Sequence, residues 1–192
     1  MTVHVLPVWI EGHPYDCPSI STVMHSGKYR DLSPFILGPI NVPGANAENF
    51  ENLWQFSKVY STHMSINGNP TPEWFAWRAK GFADKYAHRY PMGKGSIPEY
   101  SWWNGEHLGY IDARKKIYAT IYAKRVITTT SYTQLAKLYS ESGEITLLDY
   151  DAYDHLAMGM SLINVINNPV RKMGHAFVLA MLLEGVLERC LE

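Results

Sequence analysis

Cysteine is scarce: Cys17 and Cys190 lie near opposite ends of the chain and in no metal-ligand spacing. One possible bridge is not a disulfide framework, and a reducing, cytoplasmic interior is the default. The eight histidines include no His-Glu-x-x-His and no His-x-His pair, which leaves a zinc site little support. Gly-rich phosphate loops of the Walker or dinucleotide-binding kind are missing, which disfavours nucleoside triphosphate chemistry. So is the Gly-x-Ser-x-Gly elbow of the common serine hydrolases. Neither sign of charge is in excess, with 17 Lys and Arg against 18 Asp and Glu, so any nucleic-acid partner has to be held by a local patch.

Long apolar runs are absent as well. The most apolar stretch, AFVLAMLLEGVLERCLE, is broken by Glu184 and Glu188. It falls short of the roughly 20 residues that cross a bilayer and reads as a buried terminal helix, with no membrane partner. The opening MTVHVLPVWIEGHPYD has neither a basic leader nor a long apolar core and does not read as a signal peptide. Without repeats, low-complexity tracts or Pro-rich linkers, the simplest organisation is one domain over residues 1–192.

The 46% hydrophobic content is ample for a core, and its patterning is mainly helical with a few short β-strands. VHVLPVWI alternates loosely and predicts a strand, with Pro7 placing it at a sheet edge. FILGPINV, from Phe35, predicts a second short extended segment. Thr71-Pro72 opens a helix through EWFAWRAKGFADKYAHRY, stopped by Pro91. MGKGSIPEYSWWNGE reads as a long loop, and YIDARKKIYATIYAKRV returns to helical spacing. Ser131 is positioned to cap a helix to about Ser140, Gly143 to end it, and ITLL to follow as a strand.

In NFENLWQFSKVY, Glu51, Gln55 and Lys58 stand at i, i+4 and i+7, on one narrow face of a helix. Phe50, Leu53, Trp54, Phe56, Val59 and Tyr60 cover the rest, the pattern of a helix packed on several sides. Burial raises a glutamate's pKa and a nearby lysine lowers it, so such a carboxylate can be tuned for acid, base or nucleophilic work. By spacing alone, the line reads first as a structural polar stripe.

The run DLSPFILGPINVPGANAENFENLWQFSKV, from Asp31 to Val59, resembles the opening motif of the NADAR family of N-glycosidases. Asp31, Ser33, Phe35, Pro39, Gly44, Glu51, Gln55 and Lys58 fall on matching positions without a gap. RAKG, YAKRV, YTQLAKLYSESGEITLLDYDAY and MGHAFVLAML follow in the family's order, and the first 30 residues lie outside the likeness. The resemblance implies a single-domain NADAR-like fold and cleavage of an N-glycosidic bond to ribose. Some members act on ribosylated pyrimidine intermediates of riboflavin synthesis, others on ADP-ribose attached to guanine in nucleic acid. Glu51 takes the family's catalytic place, where a carboxylate can stabilise an oxocarbenium-like state, activate water or attack directly.

The chain also departs from the family. Asp154 and His155 stand where the family has Trp and Gly, and Arg171 where it has Asn. These departures turn the expectation toward a larger substrate, ADP-ribosylated guanine in DNA, and reversal of a modification made by a toxin-like transferase. Asp154 is then a second catalytic candidate for handling water or a proton. Ser33, Phe35, Gln55, Lys58, Trp103, Tyr153, His155 and Arg171 are the candidate substrate contacts, with no cofactor or metal expected. Trp102 and Trp103 offer aromatic faces for a base or, alternatively, anchor their loop in the core. The basic run Arg114, Lys115 and Lys116, with Lys124 and Arg125, offers phosphate contacts or a solvated helix face. A small ribosylated metabolite as substrate, or a silent module binding ADP-ribose or nucleic acid, are the alternative readings.

Overall fold

A computed structural model describes residues 1–12 and 14–192. In chain order the elements are β1 (Thr2–Pro7), β2 (Ser19–Ser21), β3 (Ile40–Val42), β4 (Ala45–Ala47), α1 (Phe50–Gln55), β5 (Lys58–Val59), α2 (Pro72–Ala83), β6 (Tyr100–Trp103) and β7 (Glu106–Leu108). Then come α3 (Tyr110–Ala113), α4 (Thr120–Val126), α5 (Thr130–Ser142), β8 (Glu144–Asp149), α6 (Leu162–Ile166), α7 (His175–Leu183) and α8 (Leu187–Leu191). A π-helical stretch, Arg114–Ala119, precedes α4. Helix predominates over small sheets, and the chain groups into two compact units, Met1–Ser33 with Arg114–Glu192, and Pro34–Ala113.

The first unit is built on a parallel sheet in the order β1-β8-β2. Val3 and Val5 pair with Ile145 and Leu147, and all four are fully buried. β1 is an edge strand, as Pro7 at its end predicts. Against β1 and β8 packs α7, in which Ala176 to Met181 are sealed from solvent on every side, so it has no polar face. The terminal apolar stretch is two helices rather than one, because Gly185 turns the chain at φ 68° between α7 and α8. α5 is capped by Thr129, whose side chain accepts from the Tyr132 amide, two residues before the expected Ser131, and ends at Gly143 in the left-handed region.

Two buried polar groups organise this unit. Asp149, at the end of β8, accepts from the Tyr150 amide through Oδ1 at 2.6 Å. Its Oδ2 accepts from the Ala176 amide at 3.2 Å and faces His175 Nδ1 at 3.0 Å. His175 Nε2 lies 2.9 Å from the carbonyl of Thr22, so both ring nitrogens are placed as donors. Arg114, buried at 2% exposure, donates to the carbonyls of Val165, Ile166, Asn168 and Arg171 at 3.2, 3.0, 2.8 and 2.9 Å. It thereby satisfies carbonyls at the end of α6 that have no partner within the helix. The basic run beginning at Arg114 is therefore not a uniformly solvated face.

In the second unit β3 pairs with β4, and β6 lies between β5 and β7, all antiparallel. Trp102 and Trp103 lie in β6, not in a loop. Asn104-Gly105, at φ 48° and 86°, makes a two-residue hairpin turn to β7, a signal present in the sequence as Asn-Gly. The FILGPINV expectation shrinks to β3. α2 starts at Thr71-Pro72 as expected but ends at Ala83, well short of Pro91. The reason is Asn52 of α1, which donates to the carbonyls of Asp84 and Tyr86 at 2.9 and 2.8 Å and accepts from the His88 amide at 2.8 Å, binding the chain in a non-helical course. Gly81 lets α2 approach α1, since a Cβ there would lie 2.1 Å from the Phe56 ring. No described helix is long and apolar enough to cross a membrane.

A Cβ at Gly174 would stand 2.1 Å from Asp149 Oδ2. Gly174→Ala is accordingly expected to cost about 1–3 kcal/mol in urea denaturation, by displacing the carboxylate that caps α7. An unchanged midpoint would show that this cap carries no weight.

Candidate active site

In the second unit the stripe singled out from spacing becomes a chain of hydrogen bonds. Asn49 caps α1 by accepting from the Asn52 amide at 2.9 Å, which sets Glu51 in the first turn. Glu51 and Gln55 are buried, at 5% and 8% exposure. Gln55 Nε2 donates to Glu51 Oε1 at 2.9 Å, and Lys58 Nζ donates to Gln55 Oε1 at 2.7 Å. Lys58 is not on the helix, contrary to the expected i+7 position. α1 ends at Gln55, the Ser57 hydroxyl donates to the carbonyl of Leu53 at 2.6 Å, and Lys58 begins β5. The ammonium nevertheless returns to the stripe and also sits 4.8 Å from the Trp54 ring centroid. Its backbone is fixed by Trp74, whose indole N–H donates to the Lys58 carbonyl at 2.8 Å.

The donor inventory orients this chain. An ammonium only donates, so the oxygen of the Gln55 amide must face Lys58 and its N–H must face Glu51. Glu51 Oε1 is thus held as an acceptor, the arrangement that suits an ionised carboxylate. The same unit holds Phe35, half-buried in the turn before β3, and Trp103, at 9% exposure on β6. Trp103 is thus largely core, with little ring surface presented to solvent.

The remaining candidates belong to the first unit. Ser33 is buried behind the 3₁₀ turn Gly27–Leu32. Asp154 is engaged at both oxygens: Oδ2 accepts from the Tyr15 phenol at 2.6 Å and Oδ1 from the Ala157 amide at 2.9 Å. The hydrogen bond to Asp154 is the main cause that pushes the Tyr15 phenol up to about 12, with burial and the charges of Asp154 and Glu144 adding to it. Tyr15 also stacks on His4, ring centroids 3.4 Å apart. Tyr153 packs on Phe177 at 4.8 Å, and the Arg171 guanidinium lies 5.0 Å from the Tyr153 ring. His155, at 1% exposure, meets Phe177 edge-on, and its Nδ1 has no hydrogen-bond partner.

Asp149 and Asp154, five residues apart, therefore sit in different settings. Asp149 is interior, and burial opposes its charge, yet His175 and the Ala176 and Tyr150 amides hold its carboxyl below the usual range. Among the described residues no group of three His, Cys, Asp or Glu side chains converges to hold a metal ion.

Sequence reasoning passed over Tyr15, Trp54 and Arg78. Tyr15 carries no local signal for its distant bond to Asp154. Trp54 meets Lys58 only because the chain leaves the helix between them, whereas Arg78 did carry a signal, since Trp74-x-x-x-Arg78-x-x-x-Phe82 is spaced for ring–cation contact on one helix. No family model, curated protein or solved structure matches this chain.

Burial lowers the pKa of His155, and His4 adds to this, against the opposing charge of Asp154. The unfolded chain then takes up a proton near pH 6.5 that the folded chain declines, so this contribution to stability is complete above about pH 6.5 and lost as pH falls below it. The urea midpoint should drop between about pH 7.5 and 5.5, and the drop should shrink in His155→Gln. A variant with the full wild-type slope would assign the loss to other groups.

Proposed function

We propose that this chain is an N-glycosidase that hydrolyses the bond between ADP-ribose and guanine in DNA, with Glu51 as the catalytic carboxylate. The observation that carries this reading is the buried Glu51 carboxylate, held as an acceptor by Gln55, which is held in turn by Lys58. Cleavage of the C1′–N bond leaves positive charge on the ribose ring and the bonding electrons on the guanine nitrogen. A fixed anion beside C1′ stabilises that charge and takes a proton from the attacking water, whose oxygen forms the new bond to C1′. The departing guanine nitrogen gains a proton, so ADP-ribose and unmodified DNA are the products. The match from Asp31 to Val59 supports the family of chemistry, and the departures at Asp154, His155 and Arg171 support a substrate larger than a free metabolite. Asp154 is assigned no step, because the Tyr15 phenol and the Ala157 amide already engage both of its oxygens in structural hydrogen bonds.

The test compares wild type and Glu51→Gln on DNA carrying ADP-ribosylated guanine and on a ribosylaminopyrimidine phosphate. Wild type should release unmodified DNA, and Glu51→Gln should be slower by about 10²–10⁴-fold. Glu51→Gln activity within a few-fold of wild type would remove Glu51 from the reaction. Turnover of the pyrimidine substrate alone would reassign the substrate to a small metabolite, and no turnover of either would leave a binding module.

Lys58→Met should slow the reaction by about ten- to a hundredfold at unchanged fold, because losing the charge-assisted bond frees the Gln55 amide to flip. Lys58→Arg should recover part of the loss. Wild-type kcat in Lys58→Met would show that Gln55 holds Glu51 unaided.

A further inference from the structure

Arg78 projects from α2 as a half-buried cation in the second unit. Its guanidinium carbon lies 4.4 Å from the Phe82 ring centroid and 5.6 Å from that of Trp74, and one N–H donates to the Gly44 carbonyl at 3.3 Å. Gly44 is itself hemmed in, since a Cβ there would stand 2.6 Å from the side-chain oxygen of Asn104. Two rings, one carbonyl and the close approach of two turns thus fix the plane of this guanidinium.

What the fold does not supply is a counter-charge. Among the described residues no carboxylate forms an ion pair with Arg78. The acidic groups of its own helix are engaged elsewhere: Glu73 with Thr71 and the charge of His63, Asp84 with His88 and the Tyr86 amide. The inward Nε–H is sealed from solvent and has no acceptor. Burial accordingly pushes the guanidinium below its ordinary value, with no acidic group opposing it. A cation withdrawn from water in this way costs free energy that a bound anion returns.

We propose that the outward edge of Arg78 binds a phosphoryl group carried on a larger ligand. A planar fork held in one orientation matches two phosphoryl oxygens, which a flexible ammonium does not. Assigning that group to the diphosphate of an ADP-ribosyl substrate rests on the proposed function; capture of the anion does not.

The test uses the full chain labelled with ¹⁵N, with the Arg78 Nε–H resonance assigned by its loss in Arg78→Lys. Titration with pyrophosphate and with ADP-ribose should shift this resonance, and adenosine should leave it in place. Arg78→Gln should weaken binding of both anions at least tenfold, Arg78→Lys by less, and Arg30→Gln, at an exposed arginine of the other unit, not at all. An unmoved wild-type resonance, Arg78→Gln binding equal to wild type, or an equal response to acetate would overturn the proposal, and the wild-type titration decides even where Arg78→Gln fails to fold. Anion binding without turnover of modified DNA leaves this site standing and removes the proposed reaction. Turnover together with unaltered binding in Arg78→Gln removes this site alone.

Discussion

The first unit depends on how one buried carboxylate is satisfied. Asp149 ends the central strand of a parallel sheet, and there it receives the Ala176 amide at the start of α7, its own neighbour's amide, and the His175 ring. An ionised group without such partners would cost several kcal/mol at this depth. With them, it couples the sheet to the most buried helix of the unit. His175 extends the tie to Thr22, whose amide and hydroxyl both donate to Leu148, so strand β2 is anchored through the same centre. The glycine before His175 follows from this arrangement, because no side chain fits beside the carboxylate.

The second unit solves a similar problem with neutral groups. Asn52 is sealed from solvent, and its amide collects three backbone groups of the segment after α2, while Gln55, one turn further on, accepts from the Lys58 ammonium and donates to the Glu51 carboxylate. An amide has one donor end and one acceptor end, so Gln55 sets the direction of this chain of hydrogen bonds from the ammonium to the carboxylate.

Much of this was legible in the sequence where the signal is local. Thr71-Pro72, Asn49 at the start of α1, Pro7 at a sheet edge and Gly143 at a helix end are read from residues whose backbone preferences act within a turn or two. The failures have long-range causes. Nothing within KGFADKYAHRYP announces that Asn52, more than 30 positions earlier, will capture that backbone, and the helical spacing of the sequence runs past the point where the helix stops. A period of 3.6 predicts Lys58 on the helix, but the chain abandons that period at Gln55, and the side chain reaches the expected neighbour by another route. The burial of Asp149 is a property of the packed sheet and is not announced by the DYDAYD string. The Asn-Gly hairpin was a local signal that the Gly- and Pro-rich surroundings obscured.

The π-helical stretch from Arg114 to Ala119 puts the Thr120 hydroxyl on the carbonyl of Lys115, five residues back, at 2.8 Å. Such a wide turn holds one residue more than an α-helix needs for the same length. Deleting one of the residues after Arg114 would restore regular α-helical winding with little change in the direction of Arg114, because the wide turn already absorbs the extra residue. The guanidinium would still face the carbonyls of Val165, Ile166, Asn168 and Arg171. Identity at Arg114 is therefore under a tighter constraint than length in the turn that follows it. A single-codon deletion there is closer to neutral than the loss of this one buried cation.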